Sequence, residues 1–181
     1  MRLKEKYQKE IVPELKEKFS YKNIALVPKL NKVVINIGFG KLAKEKEKIT
    51  GIETVLTKIS GQKPIMTKAK KSISAFKVRE GMIIGAVTTL RGARMYDFVE
   101  KLVNITFPRV RDFRGISFKG IDRSGNMTLG FKDYSAFAEL SASDLDTLHG
   151  LEISLSTTAR KREEGIALFT ALGFPFNKNE K

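Results

Sequence analysis

The apolar residues near the N-terminus recur at four-residue steps, at Leu3, Tyr7, Ile11, Leu15 and Phe19. Side chains four positions apart share one face of an α-helix, so this spacing predicts an amphipathic helix with a buried stripe. Glu5/Lys9 and Glu14/Lys18 add ion pairs at the same spacing. Pro13 lies inside the pattern and removes one backbone donor, so we expect a kink or two short helices.

The next apolar run alternates instead. Lys32–Gly38 is rich in β-branched residues and predicts a strand, with Val33, Ile35 and Ile37 on one face. Val34, Asn36 and Gly38 fall on the other face. Further predicted strands are Pro64–Lys68, Ile84–Arg91, Leu151–Ser156 and a hairpin over Phe118–Phe131 that turns at residues 122–126.

Three more helices follow from apolar positions at helical spacing and from the glycine or proline beyond them: Leu42–Ile59, a segment from Met95 to near Pro108, and about Ala159–Leu172. The mixed order of helices and strands predicts an α+β fold. We expect a single domain over residues 1–181, with an antiparallel sheet and helices packed mainly on one face. A long loop around Lys77–Gly85 is expected between two central strands.

Composition narrows the class of protein. The 181 residues carry a net charge of +14 and contain no cysteine. The charge favours a polyanionic partner, and the lack of cysteine excludes disulfides, thiolate zinc sites and a cysteine nucleophile. No apolar run reaches the ~18 residues of a spanning helix, and the N-terminus lacks a signal-peptide pattern. We therefore expect a cytosolic protein with no membrane partner, no cofactor and no metal.

The segment Ser60–Arg94 carries eight cations and one acid, Glu80. One-signed charge on strands and loops suits a polyanion contacted phosphate by phosphate. Strand alternation predicts that Lys68 and Lys70 share a face, as do Thr89 and Arg91. Aromatic residues are few in these strands, so backbone and shape recognition of structured RNA is favoured over base stacking. Asn36 is either an ordinary solvent-facing residue or a hydrogen-bonding group on an RNA-facing sheet.

The sequence contains little that indicates an enzyme. The only histidine, His149, stands in a predicted loop with no serine or aspartate placed to serve it. Gly38-Phe39-Gly40 lacks the third glycine and the acid of a dinucleotide fingerprint, and is better explained as a tight turn. We expect no enzyme; the alternative is an RNA-modifying or RNA-processing enzyme that uses the same basic surface.

An acidic stretch contrasts with the rest of the chain. Residues 133–159 contain five acids and neither lysine nor arginine before Arg160, and the acids are Asp133, Glu139, Asp144, Asp146 and Glu152. The stretch is either ordinary scatter of surface charge or a face that meets a basic protein.

Several runs carry a resemblance over essentially the whole chain, among them VPKLNKVVINIGFG, SGQKPIMTKAKKSISAFKVREGM, LRGARMYDF and TTARKREEGIALFTALGFPF. The chain resembles the bacterial-type large-subunit ribosomal protein L-five family. The resemblance implies a structural constituent of the large ribosomal subunit that binds 5S ribosomal RNA in the central protuberance and supports translation. Implied partners are 5S RNA, large-subunit 23S RNA, the peptidyl-site tRNA and the small-subunit protein S-thirteen, with the chain a monomer within the ribosome.

The resemblance also implies roles for individual residues. Polar contacts to 5S RNA match Asn36, Gln62 and Thr89, and the surrounding phosphate contacts match Lys63, Thr67, Lys68, Lys70, Lys71 and Arg91. The family's long mobile loop between two central strands corresponds to Ser74–Gly85. Within it, the part that reaches the peptidyl-site tRNA matches Phe76, Lys77, Arg79, Glu80, Gly81 and Met82. The inter-subunit bridge loop matches Arg109, Arg111, Asp112, Phe113 and Arg114. Asp144 and Asp146 join the bridge as the proposed acidic face. The chain departs from the family at Phe137-Ala138-Glu139-Leu140, where relatives have Phe-Pro-Glu-Ile.

Overall fold

A computed structural model describes residues 2–40, 46–141 and 149–177 of the chain. The strands are β1 (Leu30–Gly38), β2 (Ile65–Lys68), β3 (Ile83–Leu90), β4 (Met127–Phe131) and β5 (Leu151–Thr157). The helices are α1 (Leu3–Lys6), α2 (Val12–Lys18), α3 (Lys46–Ser60), α4 (Gly92–Lys101), α5 (Phe107–Arg109) and α6 (Arg162–Ala171). The strands form one five-stranded sheet in the order β2-β3-β1-β5-β4. The predicted α+β class with an antiparallel sheet is confirmed.

The chain divides into two compact units. The first contains Met1–Val33, Leu90–Leu129 and Ser154–Lys181, and the second contains Val34–Thr89 and Gly130–Ile153. In the second unit, α3 buries Ile52, Val55, Leu56 and Ile59, the stripe that the sequence predicted. In the first unit, Phe169 and Phe174 of the α6 region are buried and meet edge to face at 5.3 Å. The expectation of a single domain stays a prediction.

Two helices of the first unit contain a π-helical turn that ends two residues before a proline. Tyr7–Ile11 is π-helical ahead of Pro13, and Leu102–Thr106 is π-helical ahead of Pro108. Proline has no N–H to donate and its ring crowds the carbonyl four residues earlier, so a wider turn before it relieves the conflict. The predicted interruption at Pro13 is therefore a widened turn between α1 and α2.

The two helices of the first unit that contain π-helical turns pack against each other. The Leu3 N–H donates to Glu100 Oε2 at 3.2 Å, and the Tyr7 and Tyr96 rings lie 5.9 Å apart. The Tyr7 hydroxyl donates to the Pro28 carbonyl at 3.0 Å. Burial raises the pKa of Tyr7 and of Tyr96, so both phenols are neutral at any physiological pH.

The predicted hairpin over Phe118–Phe131 is wrong in its first arm. Phe118–Gly120 forms a 3-10 turn, and only an isolated bridge, Ile121 to Met127, precedes β4. The Ser117 hydroxyl accepts a hydrogen bond from the Lys119 N–H at 3.2 Å and so caps that turn, which explains why the arm coils. The turn at residues 122–126 is present, with Asp122 N–H donating to the Asn126 carbonyl at 2.9 Å.

Strand β2 lies at one edge of the sheet. It pairs antiparallel with β3, with Ile65 opposite Val87 and Thr67 opposite Gly85, and the register shifts between Thr67 and Lys68. Gly85 is required here, because a Cβ would lie 2.7 Å from Thr67 Oγ1 and 3.1 Å from the Ile37 carbonyl oxygen. No described helix is long and apolar enough to cross a membrane.

Candidate nucleic-acid interface

Two of the predicted polar residues lie on the outward side of the sheet in the second unit, and the third, Gln62, lies beside them in the bend after α3. Asn36 is exposed on β1 between the fully buried Ile35 and Ile37, and Thr89 is exposed on the neighbouring strand β3. The Gln62 side-chain amide donates to the Thr89 carbonyl at 3.4 Å, a long contact that nevertheless places the two residues side by side. Asn36 thus faces solvent, which is compatible with both of its interpretations.

Exposed cations follow at the end of β2. Lys68 is the last strand residue, and Lys70 and Lys71 lie in a bend beyond it. The prediction that strand alternation sets Lys68 and Lys70 on one face is wrong, because the strand ends at Lys68 after a register shift. All three lysines are exposed, and Thr67 beside them is half-buried. The positive surface is present, on a bend instead of a straight strand.

Lys63 differs from the other lysines because an acid accompanies it. Its Nζ lies 3.4 Å from Glu53 Oε1, a carboxylate supplied by α3. Glu53 lies outside the segment Ser60–Arg94, so the acid that accompanies Lys63 comes from another stretch of the sequence. The pair is solvent-exposed on the lysine side and contributes little to stability, so an incoming phosphate can compete for the cation.

The segment between β2 and β3 forms a small hydrogen-bonded loop. Ile73 and Val78 pair across it, the Gly81 N–H donates to the Ala69 carbonyl at 3.0 Å, and the Glu80 N–H donates to Ser72 Oγ at 2.9 Å. At its tip Lys77 adopts a left-handed conformation with φ 54°. These contacts give the loop a defined shape, whereas its predicted mobility stays a prediction.

The tip of this loop carries an exposed aromatic ring next to exposed basic side chains. Phe76 is 74% exposed, and Lys77, Arg79 and Glu80 around it are exposed. A shallow cleft of about 660 Å³ lies within the loop, lined by Ser72, Ser74, Lys77, Val78, Arg79 and Met82. An exposed aromatic ring beside two cations can contact both the base and the backbone of a nucleic acid.

The remaining predicted residues belong to the first unit. Arg91 is exposed and extended immediately before α4. Arg109, Arg111 and Arg114 are exposed around the turn at Asp112, whose φ of 54° marks a left-handed residue. Phe113 is half-buried because its ring stacks on Phe107 at 5.2 Å. Asp144 and Asp146 lie outside the described residues.

Within the acidic stretch, Asp133 is held by a local turn. The N–H and the hydroxyl of Ser135 both donate to Asp133 Oδ1, and these bonds lower the pKa of the carboxyl. The carboxylate is therefore charged at neutral pH, but it is turned toward its own loop. Among the described residues this stretch supplies Asp133, Glu139 and Glu152.

The described residues offer no group of three or more histidine or acidic side chains that could hold a metal ion. Two supports of the interface were not predicted from the sequence: Glu53 beside Lys63, and Ser72, whose hydroxyl oxygen accepts a hydrogen bond from the Glu80 N–H. The contact between Glu53 and Lys63 was partly predictable, because the helix that carries Glu53 was predicted. The hydrogen bond between Ser72 and Glu80 depends on the path of the loop, which residue spacing does not encode.

Comparison with known proteins finds similar sequences over nearly the whole chain. Residues 23–79 match the family model described as ribosomal protein L5, and residues 83–176 match the model for the C-terminus of the ribosomal L5 family. The chain is 51% identical over 176 residues to the large ribosomal subunit protein uL5 of Desulfatibacillum aliphaticivorans, covering 97% of this chain and 98% of that protein. It is 50% identical over 177 residues to uL5 of Streptococcus sanguinis, covering 98% of each.

Proposed function

Because the chain belongs to the ribosomal protein L5 family, it is a structural protein of the large ribosomal subunit in the cytoplasm, and we propose that it binds 5S ribosomal RNA through the outward sheet face of its second unit. It is not an enzyme, and the alternative of an RNA-modifying enzyme is not retained. The observation that carries the proposal is the set of Asn36, Gln62 and Thr89 on that face.

The roles within this surface divide by chemistry. Amide and hydroxyl groups can both donate and accept, so Asn36, Gln62 and Thr89 are suited to reading the edges and 2′-hydroxyls of a folded RNA. The cations supply phosphate contacts, which give affinity without sequence information. These cations are Lys63, Lys68, Lys70, Lys71 and Arg91, and the Thr67 hydroxyl can donate a hydrogen bond to a phosphate beside them.

Three further contacts complete the proposal. The loop tip of Phe76, Lys77, Arg79, Glu80, Gly81 and Met82 contacts the peptidyl-site tRNA. The turn of Arg109, Arg111, Asp112, Phe113 and Arg114, together with Asp144 and Asp146, contacts the small-subunit protein S-thirteen. Large-subunit 23S RNA is the neighbour of 5S RNA in the central protuberance, and one copy of the chain is present in each ribosome. Exposed charge at the loop tip and at the arginine turn supports the first two contacts.

The 5S RNA proposal is tested by comparing two single substitutions. Lys70→Ala should reduce the slope of log affinity against log salt by about 0.7–0.9, the contribution of one phosphate contact. Asn36→Ala should leave that slope unchanged and reduce discrimination between 5S RNA and an unrelated folded RNA of equal length. Filter binding over a salt series measures both quantities.

Lys9→Ala is the matched control, because Lys9 is an exposed lysine of the N-terminal helix with Glu5 four residues before it. It should change neither the slope nor the discrimination. Equal affinity of the unmodified protein for 5S RNA, unrelated RNA and duplex DNA at ~0.15 M salt would refute the proposed function. Identical effects of Lys70→Ala and Asn36→Ala would refute the division of roles.

A further inference from the structure

A second group of exposed cations lies in the first unit, around the start of α6. We call it the α6 basic surface, and its members are Lys29, Lys119, Arg123, Arg160, Lys161 and Arg162. They come from three separate stretches of sequence, so no run of the sequence displays them as a patch. None of them is among the residues that the family resemblance assigned to RNA, tRNA or the bridge.

Specific hydrogen bonds bring the three stretches together. The Lys29 N–H donates to Thr158 Oγ1 at 3.1 Å, and the Thr158 N–H donates to the Lys29 carbonyl at 2.9 Å. The Arg162 guanidinium donates to the Phe118 carbonyl at 2.7 Å. Hydrogen bonds between these stretches therefore hold the cations in one region of the first unit.

The turn that carries Arg123 is attached most tightly. The Thr157 hydroxyl donates to the Gly125 carbonyl at 3.0 Å, and the Thr157 N–H donates to Asn126 Oδ1 at 2.9 Å. Gly125 also approaches Gly165 of α6 so closely that a Cβ on Gly165 would lie 2.5 Å from its Cα. The position of Arg123 relative to α6 is thus set by backbone contact, so little ordering of the scaffold is needed when a ligand binds.

The positive charge of this surface is only partly compensated, and Glu164 interacts electrostatically with Lys161. The same stretches contain three carboxylates, of which two are directed at backbone donors. Asp122 accepts from the Asn126 N–H at 2.8 Å, and Glu164 Oε2 accepts from the Arg160 N–H at 2.8 Å. The Arg162 contact to a neutral carbonyl leaves the guanidinium charge in place. The N-terminal helix of the same unit differs, because its lysines alternate with glutamates.

We propose that the α6 basic surface binds phosphate groups of ribosomal RNA, as a contact separate from the outward sheet face. Three of its six cations are arginines, whose planar guanidinium can hold two phosphate oxygens at once. The inference rests on the proposed function only in taking RNA as the surrounding polyanion. A second anchoring point would fix the orientation of the protein on RNA, which a single patch of contacts does not.

The absence of cysteine makes a direct test available. Ser124→Cys, next to Arg123 on the exposed turn, is labelled with tethered iron-EDTA and incorporated into large subunits. Ile65→Cys, on the 70% exposed residue of β2, is the matched probe for the sheet surface. Hydroxyl-radical cleavage of the RNA is then mapped by primer extension, which also identifies whether 5S or 23S RNA is cut.

We expect cleavage from Ser124→Cys at nucleotides different from those cut from Ile65→Cys. Cleavage from Ile65→Cys alone would overturn the inference and leave solvent or a protein as the neighbour of the α6 basic surface. Identical cleavage sites would overturn it as a separate contact. Failure of Ile65→Cys to cut 5S RNA would count against the proposed function, whereas the Ser124→Cys cleavage decides this inference independently.

A binding experiment supplies the second readout. Arg123, Arg160 and Lys161 are changed together to glutamine, and rebinding to large subunits depleted of this protein is measured over a salt series. The slope of log affinity against log salt should fall by about 2.1–2.7, because up to three phosphate contacts are lost and each contributes about 0.7–0.9. The control changes Lys4, Lys9 and Lys18 to glutamine and should keep the slope. Equal slopes for the two triple variants would overturn the inference.

Discussion

Two glycines inside helices give the sharpest test of the packing, because an added methyl group meets backbone at one and open space at the other. In α6, a Cβ on Gly165 would lie 2.5 Å from both the Cα and the carbonyl oxygen of Gly125. In α3, a Cβ on Gly51 has nothing within 4 Å. We expect Gly165→Ala to destabilise the protein and Gly51→Ala to stabilise it.

The magnitudes follow from the contacts. Alanine in a helix interior is more favourable than glycine by ~1 kcal/mol, so Gly51→Ala should raise the free energy of unfolding by about 0.5–1 kcal/mol. At Gly165 the same gain is opposed by overpacking, which costs about 1–3 kcal/mol. Moving the Gly125 turn away also weakens its two hydrogen bonds with Thr157, each contributing about 1 kcal/mol. The expected net loss is about 2–4 kcal/mol.

Equilibrium unfolding in urea, followed by circular dichroism, measures both changes. With a denaturant slope of about 2 kcal/mol per molar, the midpoint should fall by about 1–2 M for Gly165→Ala. It should rise by about 0.3–0.5 M for Gly51→Ala. If Gly165→Ala were as stable as the unmodified protein, the turn would be free to move, and the close approach would not hold the α6 basic surface in place.

Three further outcomes are expected. Thr88→Val should raise the free energy of unfolding by about 1 kcal/mol in thermal or urea melts, because the Thr88 hydroxyl is buried with no partner among the described residues; a loss would reveal a partner. Acid should destabilise the protein below about pH 4.5. Burial alone would raise the pKa values of Asp122 and Glu164, but hydrogen bonds lower both. The stability that these two carboxylates contribute is therefore present above their ordinary pKa values of 3.8 and 4.5 and is lost as pH falls. Urea midpoints from pH 7 to pH 3 check this, and Asp122→Asn should flatten the decline. Phe76→Ala should leave the urea midpoint unchanged within ~0.3 M, since the ring is 74% exposed, while reducing a tRNA crosslink from the loop.

The elements whose apolar period is long and regular were predictable from sequence. In β5, buried residues alternate with exposed or half-buried ones over Leu151–Thr157, and α3 buries the predicted stripe. The positions of the outward polar residues followed from the same alternation, since Asn36 lies between two buried isoleucines. Periodicity reports which face of an element is buried, and that was sufficient to locate most of the sheet surface.

Features created by local hydrogen bonding were not predictable in this way. The end of β2 at Lys68 depends on a register shift against β3, and the coiled arm at Phe118 depends on a serine cap. The α6 basic surface depends on long-range contacts such as Arg162 to Phe118, 44 residues away. Spacing along the chain carries no information about any of these pairings.

The four-residue apolar repeat of the N-terminal helix indicated a π-helical turn that was not predicted. An α-helix turns by about 100° per residue, so a strict four-residue repeat drifts by about 40° at each step. Leu3, Tyr7, Ile11 and Leu15 are nevertheless all buried on one side. The π-helical turn at Tyr7–Ile11 offsets the drift because a wider turn rotates less per residue. A repeat of four sustained before a proline therefore indicates a π-helical turn.

The form of β2 bears on the protein before it joins any partner. An unpaired sheet edge offers its backbone to another copy of the same chain, and the exposed Ile65 would favour such pairing. The strand is only four residues long, follows Pro64, and loses its regular register before Lys68. These features disfavour edge-to-edge pairing between newly synthesised copies of the chain.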